Sequence, residues 1–151
     1  AALPLYMLHQ LEEHAGDRFR HAINAKFAGG REALTRRATF WINAGGVWIV
    51  DVVALWLAYH VDLAIGLLPI YLMGVNSLTH IAAAVADRAY NPGLWTAIGV
   101  FLPVSVWGAI EIGDGAAAGV GWQLIGLAFA LAMHAAIMGY IRGQLGPSAT
   151  A

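Results

Sequence analysis

Four long apolar stretches dominate the chain, at residues 39–60, 63–86, 94–113 and 116–141. Each is close to or longer than the ~20 residues that an α-helix needs to cross the hydrocarbon core of a bilayer. The alternation of apolar and polar residues that is typical of strands is absent from the sequence. The pattern therefore predicts an all-α integral membrane bundle, with residues 1–151 forming one domain.

Short polar segments separate these stretches and contain residues that favour turns. They lie at residues 60–62, 87–93 and 113–115. The strongest turn signal is Asn91-Pro92-Gly93, since proline cannot continue a helix and glycine adopts positive φ freely. Each apolar stretch is thus predicted to be a separate helix.

The first 17 residues allow two interpretations. As a helix they would be ~25 Å long, enough for a short crossing in a locally thinned bilayer. Alternatively, they lie flat at the membrane interface as an amphipathic helix. The sequence Ala-Ala-Leu-Pro-Leu-Tyr-Met-Leu is apolar on all sides, which favours insertion and a total of about five helices. Basic residues follow this segment rather than precede it, so no cleavable secretory signal is predicted.

The cationic residues predict the orientation of the bundle. With alternating crossings, all eight lie on one side of the membrane: Arg18, Arg20, Lys26, Arg31, Arg36, Arg37, Arg88 and Arg142. The opposite turns contain only His60, Asp62 and Asp114. Because cytoplasmic loops are enriched in arginine and lysine, we expect the arginine-rich loops and the C-terminus to be cytoplasmic, in a bacterial-type inner membrane.

Composition narrows the range of partners and functions. Hydrophobic residues make up 60% of the chain and charged residues 11%, whereas soluble domains have about 25% charged residues. The lipid bilayer is therefore the expected partner. A net charge of −1 argues against nucleic-acid binding through phosphate contacts. The absence of cysteine excludes thiolate metal sites and iron–sulfur clusters.

Ionisable residues are concentrated in the segment His-Gln-Leu-Glu-Glu-His at residues 9–14. On a helix, Glu12 and Glu13 lie about 60° and 40° to either side of His9, so the three share one face. Asn76 and His80, four residues apart in the second stretch, also share a face. His134 lies on a comparable stripe of the last stretch.

The three histidines are also predicted to lie at one depth. His9, His80 and His134 each precede a cytoplasmic-side arginine by eight or nine residues, on helices that run in the same direction. Imidazole and carboxylate groups are suitable ligands for Zn, Fe or Mn. The sequence thus predicts a divalent metal site, with the glutamates also acting as acid and base. A metal-free polar network, with a protonated glutamate hydrogen-bonded to His80, remains an alternative.

These segments resemble the HXXEE-domain family of small multi-spanning membrane proteins. His9-Gln10-Leu11-Glu12-Glu13 is similar to the family's signature, and Asn76 through His80 is similar to its Asn and His pair on a following helix. The stretch Arg-Ala-Tyr-Asn-Pro-Gly-Leu-Trp-Thr-Ala, at 88–97, resembles its Tyr-x-Pro-Gly turn. The resemblance implies a metal site at His9, Glu12, Glu13, Asn76 and His80. It does not imply a particular reaction.

Two functional hypotheses follow. In the first, the protein is a membrane metalloenzyme that acts on an apolar or lipid-like substrate, with Glu12 and Glu13 as catalytic residues and Asn76 orienting a ligand or water. In the second, it is a non-catalytic accessory subunit of a larger membrane complex that carries pigment or haem, with His134 as the cofactor ligand. Ala130 lies four residues before His134, a spacing similar to that of bacterial light-harvesting polypeptides. Neither hypothesis specifies an oligomeric state.

Overall fold

A computed structural model describes residues 2–115 and 118–145 of the chain. Within these ranges the backbone is helical, with short turns and without strands. Residues 116 and 117, where the last predicted stretch begins, lie outside the described residues. The helices of more than ten residues are α1 Ala2–His14, α2 Arg18–Ala28, α3 Arg36–His60, α4 Leu63–Asp87, α5 Leu94–Asp114 and α6 Val120–Gly143.

The predicted all-α membrane architecture is confirmed. Helices α3 to α6 are each long and apolar enough to cross a membrane, and α1 is a shorter N-terminal helix. Helix α3 begins three residues before the predicted stretch because Thr35 caps it: the Thr35 hydroxyl accepts a hydrogen bond from the Ala38 N–H at 3.1 Å. Two segments widen into π-type turns, Ile42–Ile49 in α3 and Ala97–Phe101 in α5.

Helix α4 lies at the centre of the bundle. Half of its most apolar segment is buried, compared with 11–22% in the other three long helices. It packs against α5 and α6. Met73 of α4, Phe101 of α5 and Ala130 of α6 meet in the apolar core, which α1 joins through Tyr6. The first helix is therefore part of the bundle interior.

Helix α2 covers one end of the bundle. Ala28 at its end packs with Leu34 and Ile141. The Asn24 side chain donates to the Leu34 carbonyl at 2.9 Å and accepts from the Leu34 N–H at 2.8 Å, which fixes the connection to α3. An ion pair between Lys26 and Asp87 joins α2 to the end of α4. This end of the bundle carries most of the cationic residues.

The outer surface of the long helices is apolar. Trp56 is 58% exposed and Leu131 is 53% exposed, and many other large apolar side chains lie on the same surface. A soluble monomer rarely exposes contiguous apolar area on this scale. These side chains are suited to contact lipid.

Candidate functional site

Three buried side chains from α1 and α4 meet inside the bundle. His9 and Glu13 lie one turn apart on α1, as the helical spacing predicted, and His80 faces them from α4. Glu13 Oε1 is 3.1 Å from His80 Nε2 and 3.4 Å from His9 Nε2. One potential ligand atom of each residue lies within 4.8 Å of the others, and all three residues are buried.

The other ring nitrogen of His9 is held by Thr96 at the start of α5. His9 Nδ1 is 2.7 Å from Thr96 Oγ1, and the same oxygen is 2.6 Å from Glu12 Oε2. The carboxylate can only accept, so the Thr96 hydroxyl donates to Glu12 and accepts from the Nδ1–H of His9. In neutral His9, Nε2 therefore has a free lone pair. This atom is buried and has no hydrogen-bond partner in the described part of the chain.

Asn91 orients the second imidazole in the same way. Its Nδ2 donates to the His80 carbonyl at 2.9 Å, so its Oδ1 is the atom 2.6 Å from His80 Nδ1. An amide oxygen only accepts, and His80 Nδ1 must therefore carry the proton. The lone pair of neutral His80 Nε2 consequently points toward Glu13.

The site therefore brings three hydrogen-bond acceptors close together. Two imidazole Nε2 atoms and the Oε1 of Glu13 converge, and each imidazole proton is already donated elsewhere. Three lone pairs at this separation in a buried site require a shared proton or a cation between them. Neutral imidazole with a carboxylate is a suitable donor set for Zn, Fe or Mn, and an acceptor bonded to the remote nitrogen is the usual arrangement around histidine ligands. The residues therefore fit a metal.

Glu12 points away from this group, toward the N-terminus of α5. Its carboxylate accepts hydrogen bonds from the backbone N–H groups of Trp95 and Thr96, at 3.1 and 2.8 Å, and from the hydroxyl of Tyr90 at 2.9 Å. Gly93, which precedes the helix, has no side chain to cap it. Glu12 supplies that cap from another helix, and a negative charge there also interacts favourably with the helix dipole.

Gly93 packs directly against the three buried side chains. A Cβ atom at this position would lie 2.8 Å from carbon atoms of His9, Glu13 and His80, and its φ is +97°. Both the contact and the backbone conformation require glycine. The turn at Asn91-Pro92-Gly93 was predicted from the sequence, but its position beside the site was not.

The remaining predicted site residues lie beside the group rather than in it. Asn76 and His134 line a cavity of about 680 Å³ that also adjoins His9 and His80. The Oδ1 atom of Asn76 is buried and has no hydrogen-bond partner among the described residues. His134 Nδ1 donates to the Ala130 carbonyl at 2.8 Å, which leaves its Nε2 available.

Two further ionisable side chains, His14 and Asp51, lie inside the bundle. His14 Nε2 lies 3.7 Å from Glu13 Oε2 and accepts a hydrogen bond from Asn43 Nδ2 at 2.8 Å. Asp51 of α3 faces the bundle interior and is fully buried. Neither of its carboxylate oxygens has a hydrogen-bond partner in the described part of the chain.

Sequence reasoning missed the residues that hold the site in place. They are Tyr90, Asn91, Gly93 and Thr96. All four lie in the stretch 88–97, which the sequence marked only as a turn and as one element of the resemblance. Two hydrogen-bonding side chains beside a turn, close in sequence to a predicted ligand, were the available signal.

Comparison with known families gives a consistent result. Residues 1–108 match a family described as a protein of unknown function with an HXXEE motif. The chain belongs to this family. The match includes α1, α4 and the α4–α5 turn, and therefore His9, Glu13 and His80. No curated protein and no solved structure matches the chain.

Proposed function

We propose that this HXXEE protein binds a divalent transition metal, Fe, Mn or Zn, within the membrane and acts as a metalloenzyme on an apolar or lipid-like substrate. The observation that carries the proposal is the convergence of His9 Nε2, His80 Nε2 and Glu13 Oε1, with both imidazole protons directed away from the group. His9, Glu13 and His80 hold the metal.

Neighbouring residues orient the side chains that would hold the metal. A bound metal supplies Lewis acidity and can lower the pKa of water. Thr96 and Asn91 keep both imidazoles in the tautomer that presents Nε2, and Glu12 positions Thr96. Glu13 contributes the negative charge of the ligand group through Oε1, and its second oxygen, Oε2, is the atom that can accept a proton. Glu12 is thus a positioning residue in this proposal.

The orientation of the protein follows from its charges. We place the α2 end, with the loop at Arg88 and the end of α6 at Arg142, in the cytoplasm. The support is the sequence bias of cations toward this side and the contacts that bring these segments together: α2 packs on α6, and Lys26 pairs with Asp87. The metal group then lies within the cytoplasmic half of the bundle.

Element-resolved metal analysis of the detergent-purified protein tests the proposal. We expect near-stoichiometric Fe, Mn or Zn in the wild-type protein and loss of the metal in His80→Ala. His60→Ala is the matched control, because His60 is exposed at the opposite end of the bundle and should leave metal content unchanged. A His80→Ala protein that folds and keeps full metal content would contradict the proposal.

An absorption spectrum of the same samples tests the accessory-subunit alternative. A tetrapyrrole would give visible bands that disappear in His134→Ala and persist in His80→Ala. A colourless protein without metal would instead favour a proton shared among His9, Glu13 and His80.

A further inference from the structure

A large cavity adjoins His9, Glu13 and His80, and its two ends differ in chemistry. Its volume is about 680 Å³, within the range of sites that hold small molecules. Helices α1, α2, α3, α4 and α6 all contribute walls. One end lies among Tyr6, Asn76 and His134, and the other opens beside Lys26 and Asp87 at the α2 end.

The inner end contains polar atoms without partners. The hydroxyl of Tyr6 and the Oδ1 of Asn76 are buried and make no hydrogen bond within the described residues. His134 Nε2 is an acceptor, since Nδ1 donates to a carbonyl. Leaving such groups unpaired in a buried site costs free energy, so their presence favours a ligand that bonds to them.

The charge of the inner end excludes an anionic ligand group there. Among the described residues that line the cavity, Lys26 is the one lysine or arginine, and it pairs with Asp87 at the rim. The charged groups that act on Tyr6 at this end are the carboxyl groups of Asp51 and Glu13, and both are acidic. A carboxylate or phosphate would bring only acceptors to an end that already contains the lone pairs of Asn76 and His134.

The rest of the cavity is mostly apolar. Its apolar lining includes Phe19 and Ile23 of α2 and Ile137, Met138 and Ile141 of α6. These side chains offer no hydrogen bonds and favour the burial of a hydrocarbon chain. The complementary molecule therefore has a long apolar chain and a small neutral group that both donates and accepts hydrogen bonds.

We propose that the cavity binds a long-chain alcohol, with its hydroxyl donating to Asn76 Oδ1, accepting from the Tyr6 hydroxyl, and lying beside the His9–Glu13–His80 group. This inference names the substrate class of the proposed metalloenzyme and rests on that function for its catalytic meaning. The binding itself depends on the cavity and is measurable without metal.

Competition binding tests the inference. Purified protein in dodecyl maltoside, stripped with EDTA or loaded with Zn²⁺, is equilibrated with tritiated 1-hexadecanol and competed with unlabelled hexadecanol, hexadecane or hexadecanoate. Because each net hydrogen bond contributes about 0.5–1.5 kcal/mol, we expect hexadecanol to bind at least about fivefold more tightly than hexadecane. Hexadecanoate should also bind more weakly than the alcohol.

Two sets of variants locate the bound chain. Ala83→Phe places a ring inside the cavity and should reduce alcohol binding at least about tenfold, since a filled cavity excludes the chain. Ala82→Phe is the matched control, because Ala82 is exposed on the same helix outside the cavity. Tyr6→Phe keeps the ring and should remove the preference for alcohol over alkane while leaving alkane binding intact.

The outcomes separate this inference from the metal proposal. Alcohol binding that is lost in Ala83→Phe and retained in Ala82→Phe supports the inference, whether or not metal binds. Equal binding of hexadecanoate, or equal effects of the two phenylalanine variants, would overturn it. A protein that holds stoichiometric metal yet binds no alcohol overturns the inference and leaves the metal proposal standing. If Tyr6→Phe does not fold, Asn76→Leu provides the same test.

Discussion

Glu12 and Glu13 are adjacent and chemically identical, yet the fold uses them in opposite ways. Glu13 is buried and faces two imidazole nitrogens that carry lone pairs. Glu12 is half-buried and accepts hydrogen bonds from the backbone of Trp95, from Tyr90 and twice from Thr96. The Glu12 carboxylate is surrounded by hydrogen-bond donors, whereas the Glu13 carboxylate faces hydrogen-bond acceptors.

The difference shows how a double glutamate can build a single site. A carboxylate surrounded by donors is satisfied and serves to fix structure. A buried carboxylate among acceptors requires a proton or a cation. Glu12 accepts a hydrogen bond from the Thr96 hydroxyl, which in turn orients His9 beside Glu13. Substitutions around the two glutamates test this difference.

Gly93→Ala should disturb the positions of both Glu12 and Glu13. Its methyl group would lie 2.8 Å from site side chains, and φ at this position is +97°. We expect a loss of about 3 kcal/mol or more in the free energy of unfolding, together with loss of metal. Thermal unfolding in detergent measures the first. Gly99→Ala is the control, since a Cβ atom there meets nothing within 4 Å. Similar melting temperatures for the two variants would refute the close packing at Gly93.

Glu13→Gln should abolish metal binding while preserving the fold. The glutamine N–H donates to the imidazole lone pairs, so the polar group is satisfied without a cation. We expect at least about 100-fold weaker metal binding, beyond the effect typical of residues that only support ligands. Isothermal titration with Zn²⁺ measures this. Unchanged affinity would remove Glu13 from the ligand set.

Glu12→Gln should affect stability more than metal binding. Glutamine has one oxygen acceptor in place of two, so some donors at the start of α5 lose their partner. We expect a loss of about 1–3 kcal/mol in the free energy of unfolding and about tenfold weaker metal binding. Glu111→Gln, at an exposed position of α5, is the control. A larger effect on metal binding than that of Glu13→Gln would invert the contrast.

Thr96→Val should separate the two roles of the α5 terminus. Valine keeps the shape and the backbone N–H that Glu12 accepts, but removes the hydroxyl that orients His9. We expect about tenfold weaker metal binding and a smaller change in stability than Glu12→Gln causes. Thr96→Ser should restore binding. If serine fails to do so, the hydroxyl is not what orients His9.

Tyr90→Phe should have the smallest effect. Burial and the hydrogen bond to Glu12 raise the pKa of the Tyr90 phenol, so it remains a donor at neutral pH. We expect a loss of about 0.5–1 kcal/mol in the free energy of unfolding and unchanged metal binding. Since the pKa is raised in the folded state, the hydrogen bond stabilises the protein below the ordinary tyrosine pKa of about 10 and is lost as the pH rises through the folded value. The difference between the two proteins should therefore disappear at alkaline pH.

Local sequence patterns predicted the helices and part of the site. Hydropathy over about twenty residues is a local property, and it gave all four long helices to within a few residues. Helical periodicity likewise placed His9 and Glu13 on one face, and equal spacing from the basic residues placed His80 at their depth. These inferences need only the geometry of single helices and the direction in which they cross.

Only the tertiary structure distinguished Glu12 from Glu13. The two lie about 100° apart on α1, and periodicity alone permits both to be ligands. Their roles depend on the α4–α5 turn, which brings Gly93 against the buried side chains and the free N–H groups of α5 against Glu12. The orientation of that turn is set by packing between helices distant in sequence, which no local pattern encodes. The same packing decides that His134 lines the cavity rather than joining the group of three.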